Sequence, residues 1–165
     1  MKKPNTRQEV EPCLYDSNFY EWTQTVAENL RECPLPKADL EHVAEEIADM
    51  GKRDRREIRS RMIVLIMHLM KWAAQPELPG KSTWRSTINQ QRDQVEAMLE
   101  DSPSLRVDLI REIPHIYSKA AARAADETGL PFATFSRADS FPGKVAHLDR
   151  LLSGSFRPET MDDLF

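Results

Sequence analysis

Four groups of side chains have spacings that could carry chemistry. His42-Val43-Ala44-Glu45-Glu46 places His42 with Glu45 and with Glu46 on one helical face, three and four residues apart. Glu112 and His115 have the Glu-x-x-His spacing that paired di-iron carboxylate sites use. Such a site needs two copies of that motif and further inward carboxylates. The chain has one copy, it straddles Pro114, and the His42 cluster runs in the reverse order. Solvated acidic residues with helical partners are the favoured reading of both. His68 lies within the apolar run Met62–Met70, where it is either a base or ligand or a neutral core residue bonded to a carbonyl or carboxylate. The second role is favoured.

Glu45, Glu46, Arg59, His68 and Arg85 together form the candidate polar cluster that an enzyme or metal-binding protein of this sequence would use. The fourth group is electrostatic. Residues 36–50 hold Asp39, Glu41, Glu45, Glu46 and Asp49 against Lys37, whereas residues 52–61 hold six basic side chains against Asp54 and Glu57. Lys52, Arg53, Arg55 and Arg56 are the candidate basic patch. No aromatic side chain interleaves them to stack on bases, so ion pairing within the protein is favoured over nucleic-acid binding. Asp49 with Arg53 is one expected pair. The chain has no Gly-x-Ser-x-Gly, no phosphate-binding glycine loop and no histidine close in sequence to either cysteine. No cofactor is expected.

The elements that would position these residues read as helices. Forty per cent apolar and thirty per cent charged residues in 165 fit one globular domain. Five glycines are few for a turn-rich β architecture, and the eleven prolines fall mostly where they would bound helices. A first helix follows Asn18, whose spacing to Glu21 is that of a capping box; Phe19, Trp22, Val26 and Leu30 recur on its inner face. A second opens after Pro36 with the stripe Leu40, Val43, Ile47, Met50, Ile58, Met62, Leu65, Leu69 and Trp72. As one rod, residues 37–74 would span about 57 Å, against a diameter of about 40 Å for a compact domain of this size. Asp54 also interrupts the stripe just after Gly51. A bend or break at residues 50–54 is therefore expected; a straight rod would imply an extended molecule or a dimer.

Residues 62–74 are apolar nearly all round and should be the most buried helix. Ser82 is the expected N-cap of a helix carrying Trp84, Ile88, Val95 and Leu99. Ser102 with Pro103 is the expected start of another, inward through Leu105, Leu109, Ile113, Ile116, Ala120 and Ala124 and kinked at Pro114. Gly129 should end it. A short helix at Val145–Leu152 follows, with Phe132, Phe135, Phe141 and Phe156 as anchors. The expected fold is all-α: a compact bundle of about five helices with a short helix and extended tail at the C-terminus. Residues 1–13 read as a disordered tail, 14–158 as one domain and 159–165 as a C-terminal tail.

A formal charge of −4 gives no general attraction to nucleic acid or anionic membranes. The longest apolar stretch is too short for a bilayer span. The opening residues have no apolar leader core, and Cys13 and Cys33 follow no metal or redox spacing. A cytoplasmic protein with free thiols is expected.

Several of these segments carry a resemblance. They include Leu14-Tyr15-Asp16 with Phe19-Tyr20-Glu21-Trp22, Arg59-Ser60-Arg61, His68-Leu69, Trp84-Arg85 with Thr87-Ile88, Asp101-Ser102-Pro103-Ser104-Leu105 and Glu127-Thr128-Gly129-Leu130. On them the chain resembles the bacterial domain of unknown function 29 family over about residues 14–158. The resemblance implies a small all-helical bacterial protein and no activity. His42 stands where the family pattern tends to have asparagine, which weakens a metal site there, and Ser140-Phe141-Pro142 replaces the usual Cys-Pro-Tyr. The leading functional expectation is a helical module that binds another protein or a second copy of itself. An enzyme or metal protein using Glu45, Glu46 and His68 is the alternative, and nucleic-acid binding through residues 52–61 the second.

Overall fold

The structure, a computed structural model, describes residues 14–32, 37–77, 81–136 and 145–164. The expected N-terminal tail, both cysteines and Phe141 lie outside them. Among the described residues there are six α-helices and no strand: α1 Leu14–Ser17, α2 Phe19–Arg31, α3 Lys37–Ala74, α4 Lys81–Asp101, α5 Leu105–Thr128 and α6 Val145–Leu152. Short 3-10 turns at Phe132–Thr134 and Met161–Leu164 complete the path. None of the described helices is long and apolar enough to cross a membrane.

α3 departs from the expected bend. No break occurs at residues 50–54; 38 residues form one helix. α3 can exceed the diameter of a compact domain because it runs through the bundle and on along α2. Its C-terminal part, from Ile58 to Ala73, packs between α4 and α5 and buries Met62, Leu65, Ile66, Leu69 and Met70 completely. Its N-terminal part packs against α2 instead, over a small separate core of Ala27, Ala44 and Ala48 flanked by Leu30 and Ile47. Gly51 lies where α2 crosses close to α3. A Cβ there would come within 2.8 Å of Gln24 Nε2 and 2.9 Å of Tyr20 Cδ2, so glycine serves close approach rather than interruption.

Two helix starts also differ from expectation. α4 begins at Lys81, one residue before Ser82. Ser104, not Ser102, precedes the first residue of α5 and makes no side-chain cap there. The two serines serve α2. Asn18 caps α2 by accepting from Glu21 N at 3.4 Å, and its amide donates to Glu21 Oε2 at 2.8 Å. Tyr20 N donates to Ser102 Oγ at 3.1 Å, and Ser104 Oγ donates to Asn18 Oδ1 at 2.9 Å. Free amides of a first helical turn need such acceptors. The Asp-Ser-Pro-Ser turn thus closes the N-terminus of a helix more than eighty residues away in sequence.

α5 is helical through the exposed Pro114 and ends at Gly129, at a φ of 70°, as its sequence position implies. The residues assigned to a C-terminal tail also fold back. Leu164 is fully buried in the main core, and Tyr117 Oη donates to its carbonyl at 2.8 Å. Arg92, the largest fully buried side chain among the described residues, donates to the carbonyls of Leu151 at 2.8 Å and Phe156 at 2.8 Å, holding the end of α6 and the loop after it.

Candidate functional site

The continuous α3 keeps the candidate polar cluster apart. Glu45 and Glu46 are exposed on the limb that α3 forms with α2. His68 is on the same helix, about 34 Å further along its axis at 1.5 Å per residue. Its Nδ1 lies 2.8 Å from the Val64 carbonyl, and burial holds its pKa below the usual histidine value. Arg59 pairs with Glu112 at 3.4 Å, and Arg85 is exposed on α4. A cluster of Glu45, Glu46, Arg59, His68 and Arg85 therefore does not assemble within the chain. Glu112 is held by Arg55 and Arg59 while His115 is exposed, and no described group of three His, Cys, Asp or Glu residues is arranged to hold a metal ion.

The basic segment is partly consumed by intramolecular pairing. Lys52, not Arg53, pairs with Asp49, at 2.8 Å. Arg55 reaches Glu112 at 2.8 Å and Asp108 at 3.5 Å, bracing α3 against α5. Arg61 bonds Glu57 and Gln94. Arg53 and Arg56 remain exposed.

A different set of residues converges where α1, α2, α3 and α4 meet. A cavity of about 300 Å³ is lined by Tyr15, Asp16, Phe19, Asp54, Asp101 and Ser102. A second, of about 170 Å³, shares Asp54, Asp101 and Ser102 with it and adds Glu57, Met98 and Leu105. The two share three lining residues and together present a groove of four carboxylates, with no lysine or arginine among the described lining residues. Tyr15, Phe19 and Trp22 build an aromatic wall beside it, with Tyr15 and Trp22 edge-to-face at 4.9 Å and Phe19 and Trp22 stacked at 5.8 Å. Tyr15 is 52% exposed.

The local sequence explains the sign of the groove. Burial first, then the neighbouring charges of Glu57 and Asp101, pushes the Asp54 carboxyl above its ordinary pKa. α4 ends on Glu100-Asp101 with no basic residue in its last turn. Carboxylates at the negative pole of a helix are unfavourable, so the fold tolerates a cost there. A cation entering the groove would lower that cost and find π-faces beside it. A larger cavity of about 380 Å³ between α4, the α5 entry and α6 lacks this one-signed character, because the Arg106–Asp149 ion pair lies among its lining residues.

Residue patterning missed the groove, although Asp54 gave a signal: a carboxylate breaking an inward apolar stripe. It also missed Arg92, which occupies the same inward face as Ile88 and Val95.

The family model described as "Domain of unknown function DUF29" matches residues 14–152. The chain belongs to that family. Two segments on which its resemblance to DUF29 rests, Tyr15-Asp16 with Phe19 and the Asp-Ser-Pro-Ser turn, meet at the groove. Among solved structures the chain is similar to an α-helical protein of unknown function from Rhodospirillum rubrum. The identity is 25%, the TM-score 0.66, and the match covers 93% of this chain and 96% of that one. No curated protein matches the sequence. The structural neighbour carries the all-helical fold, and neither description names an activity.

Proposed function

We propose that this protein is a helical interaction module whose acidic, aromatic-walled groove binds a lysine- or arginine-bearing segment of another protein. The observation that carries this reading is the groove's composition: Asp16, Asp54, Glu57 and Asp101 around one opening, without a basic side chain among the described lining residues, beside the exposed ring of Tyr15. A flexible basic side chain suits both parts. Its charged end meets the carboxylates, and its aliphatic stem or guanidinium plane lies on the ring.

The reading is tested by fluorescence anisotropy with labelled peptides of basic, neutral and acidic composition, titrated with wild-type protein, the D54N/D101N double variant and Y15A. The expected result is saturable binding of basic peptides that weakens with salt and falls at least about tenfold in D54N/D101N. Absence of binding to any basic peptide, or equal affinity in the double variant, overturns it. Spermidine provides a control: tight spermidine binding without peptide binding would make the groove a receptor for small organic cations and overturn the protein-partner assignment.

A further inference from the structure

Among the described residues, no element covers one face of the long α3 along the limb. Val43, Glu46, Met50, Arg53 and Glu57 follow one another at alternating spacings of three and four residues, which places them in one stripe. All five are exposed, and Val43 and Met50 are among the large apolar residues most open to solvent, at 48% and 42%. α2 covers the opposite flank at Ala44, Ala48 and Gly51, over a core built from alanines. Neither Glu46 nor Arg53 has an ion-pair partner within the chain among the described residues.

The charge order along this face is self-complementary. Residues before Gly51 are predominantly acidic and those from Lys52 to Arg61 predominantly basic. Glu46 and Arg53 are equally distant from a point midway between Asp49 and Met50. A second copy laid antiparallel across a two-fold axis at that point puts Glu46 of each chain against Arg53 of the other. It brings the two Met50 side chains together at the centre. A parallel arrangement would set acid against acid. Isologous pairing of this kind closes on itself and ends at two subunits.

We infer that this protein forms a two-fold dimer through the Val43–Glu57 face of α3, with reciprocal Glu46–Arg53 pairs flanking a central Met50 contact. The surface meets the acidic groove at Glu57, but Glu46 and Arg53, which test the dimer, do not line the groove and Asp54 and Asp101, which test the groove, are not in the stripe, so the two assignments fail independently.

Sedimentation equilibrium of the full chain at low and high salt tests the dimer, with E46R, R53E and the E46R/R53E double variant compared. All three changes are at exposed positions, and circular dichroism verifies the helical fold of each. Wild type should dimerise and dissociate more readily at high salt. Each single reversal sets like charges against each other twice and should weaken dimerisation at least about tenfold, while the double variant restores it. A wild-type protein that stays monomeric up to its solubility limit overturns the inference. So does a dimer indifferent to both single reversals, or a double variant that fails to regain association.

Discussion

Gly51 of α3 lies against Thr23 of α2 so closely that a methyl group on the glycine would overlap the threonine hydroxyl. That hydroxyl is not free to move away, since it donates to the Tyr20 carbonyl at 2.7 Å and accepts from Gln24 at 3.2 Å. Helix propensity and packing therefore oppose each other at this position. In an isolated helix, glycine to alanine would gain about 1 kcal/mol. Here the added methyl must separate two helices or break the Thr23 bonds, a cost of about 1–3 kcal/mol for an overpacked contact. G51A is expected to lower the denaturation midpoint, and T23A/G51A to recover part of the loss by removing the obstructing hydroxyl. Chemical denaturation of the three proteins decides it; a simple gain in G51A would show that the limb tolerates separation.

The same contact shows how far the sequence could be read. The 3.6-residue spacing of apolar side chains gave the helices, and for α6 even the ends, because that signal is local. The glycine at position 51 had two local meanings, a break in one helix or a place for another helix to cross, and only the position of α2 decides between them. Ser102 was read as the cap of the helix that follows it and instead serves Tyr20 N, a partner set by tertiary packing. The groove was illegible for the same reason: Asp16, Asp54 and Asp101 belong to three separate elements.

The Ser102 bond has its own consequence. S102A removes the acceptor for one α2 amide and leaves Asn18 to cap the helix alone. Losses for a missing cap are typically about 0.5–2 kcal/mol. Hydrogen exchange should show faster opening of the first turn of α2, with α5 little changed. Accelerated exchange in the first turn of α5 instead would return Ser102 to the role its sequence position suggests.

Asp54 links the groove to stability. Its folded pKa is raised, so the folded state binds this proton more tightly than the unfolded state does. The contribution to stability is complete below the ordinary carboxylate value and is lost as pH rises through the raised one. At neutral pH the ionised group is therefore a burden that asparagine would not carry. D54N should melt higher than wild type at neutral pH, with the advantage shrinking as the solution is acidified through the Asp54 titration. If D54N is both more stable and a weaker binder of basic peptides, the carboxylate is retained at the expense of the fold. A D54N protein less stable at neutral pH would mean that Asp54 is a structural acceptor.

Arg92 holds the C-terminal segment by supplying donors to carbonyls that have left regular helix. Burial and the nearby Arg157 charge bring its pKa down to about 10, which still leaves it protonated at neutral pH. R92M fills a similar volume but makes none of these bonds. A buried acceptor left unpaired costs about 1–3 kcal/mol. The variant should expose the loop after Leu152 to proteolysis before the α3–α5 core unfolds; cleavage no faster than in wild type would place the anchoring in Leu164 and Tyr117.

His147 makes acid stability sensitive to one buried ring. Tyr117 Oη gives its only proton to the Leu164 carbonyl, so His147 Nε2, 2.7 Å from Oη, must donate to it. The proton a charged imidazole adds therefore goes to Nδ1. Burial first, and then the Arg150 charge, opposes that proton and lowers the folded pKa below 6.5. A lowered histidine pKa means that the unfolded chain takes up the proton first as pH falls. The stability present above about pH 6.5 is then lost progressively down to the folded value. His68, also lowered by burial, acts in the same direction. H147Q keeps an amide donor for Tyr117 but has no titration in this range. Its melting temperature should fall less than that of wild type between about pH 7.5 and pH 5, with the remaining slope reduced again by adding H68Q. Parallel pH profiles for wild type and H147Q would mean that the ring is already solvated enough to charge without strain on the C-terminal turn.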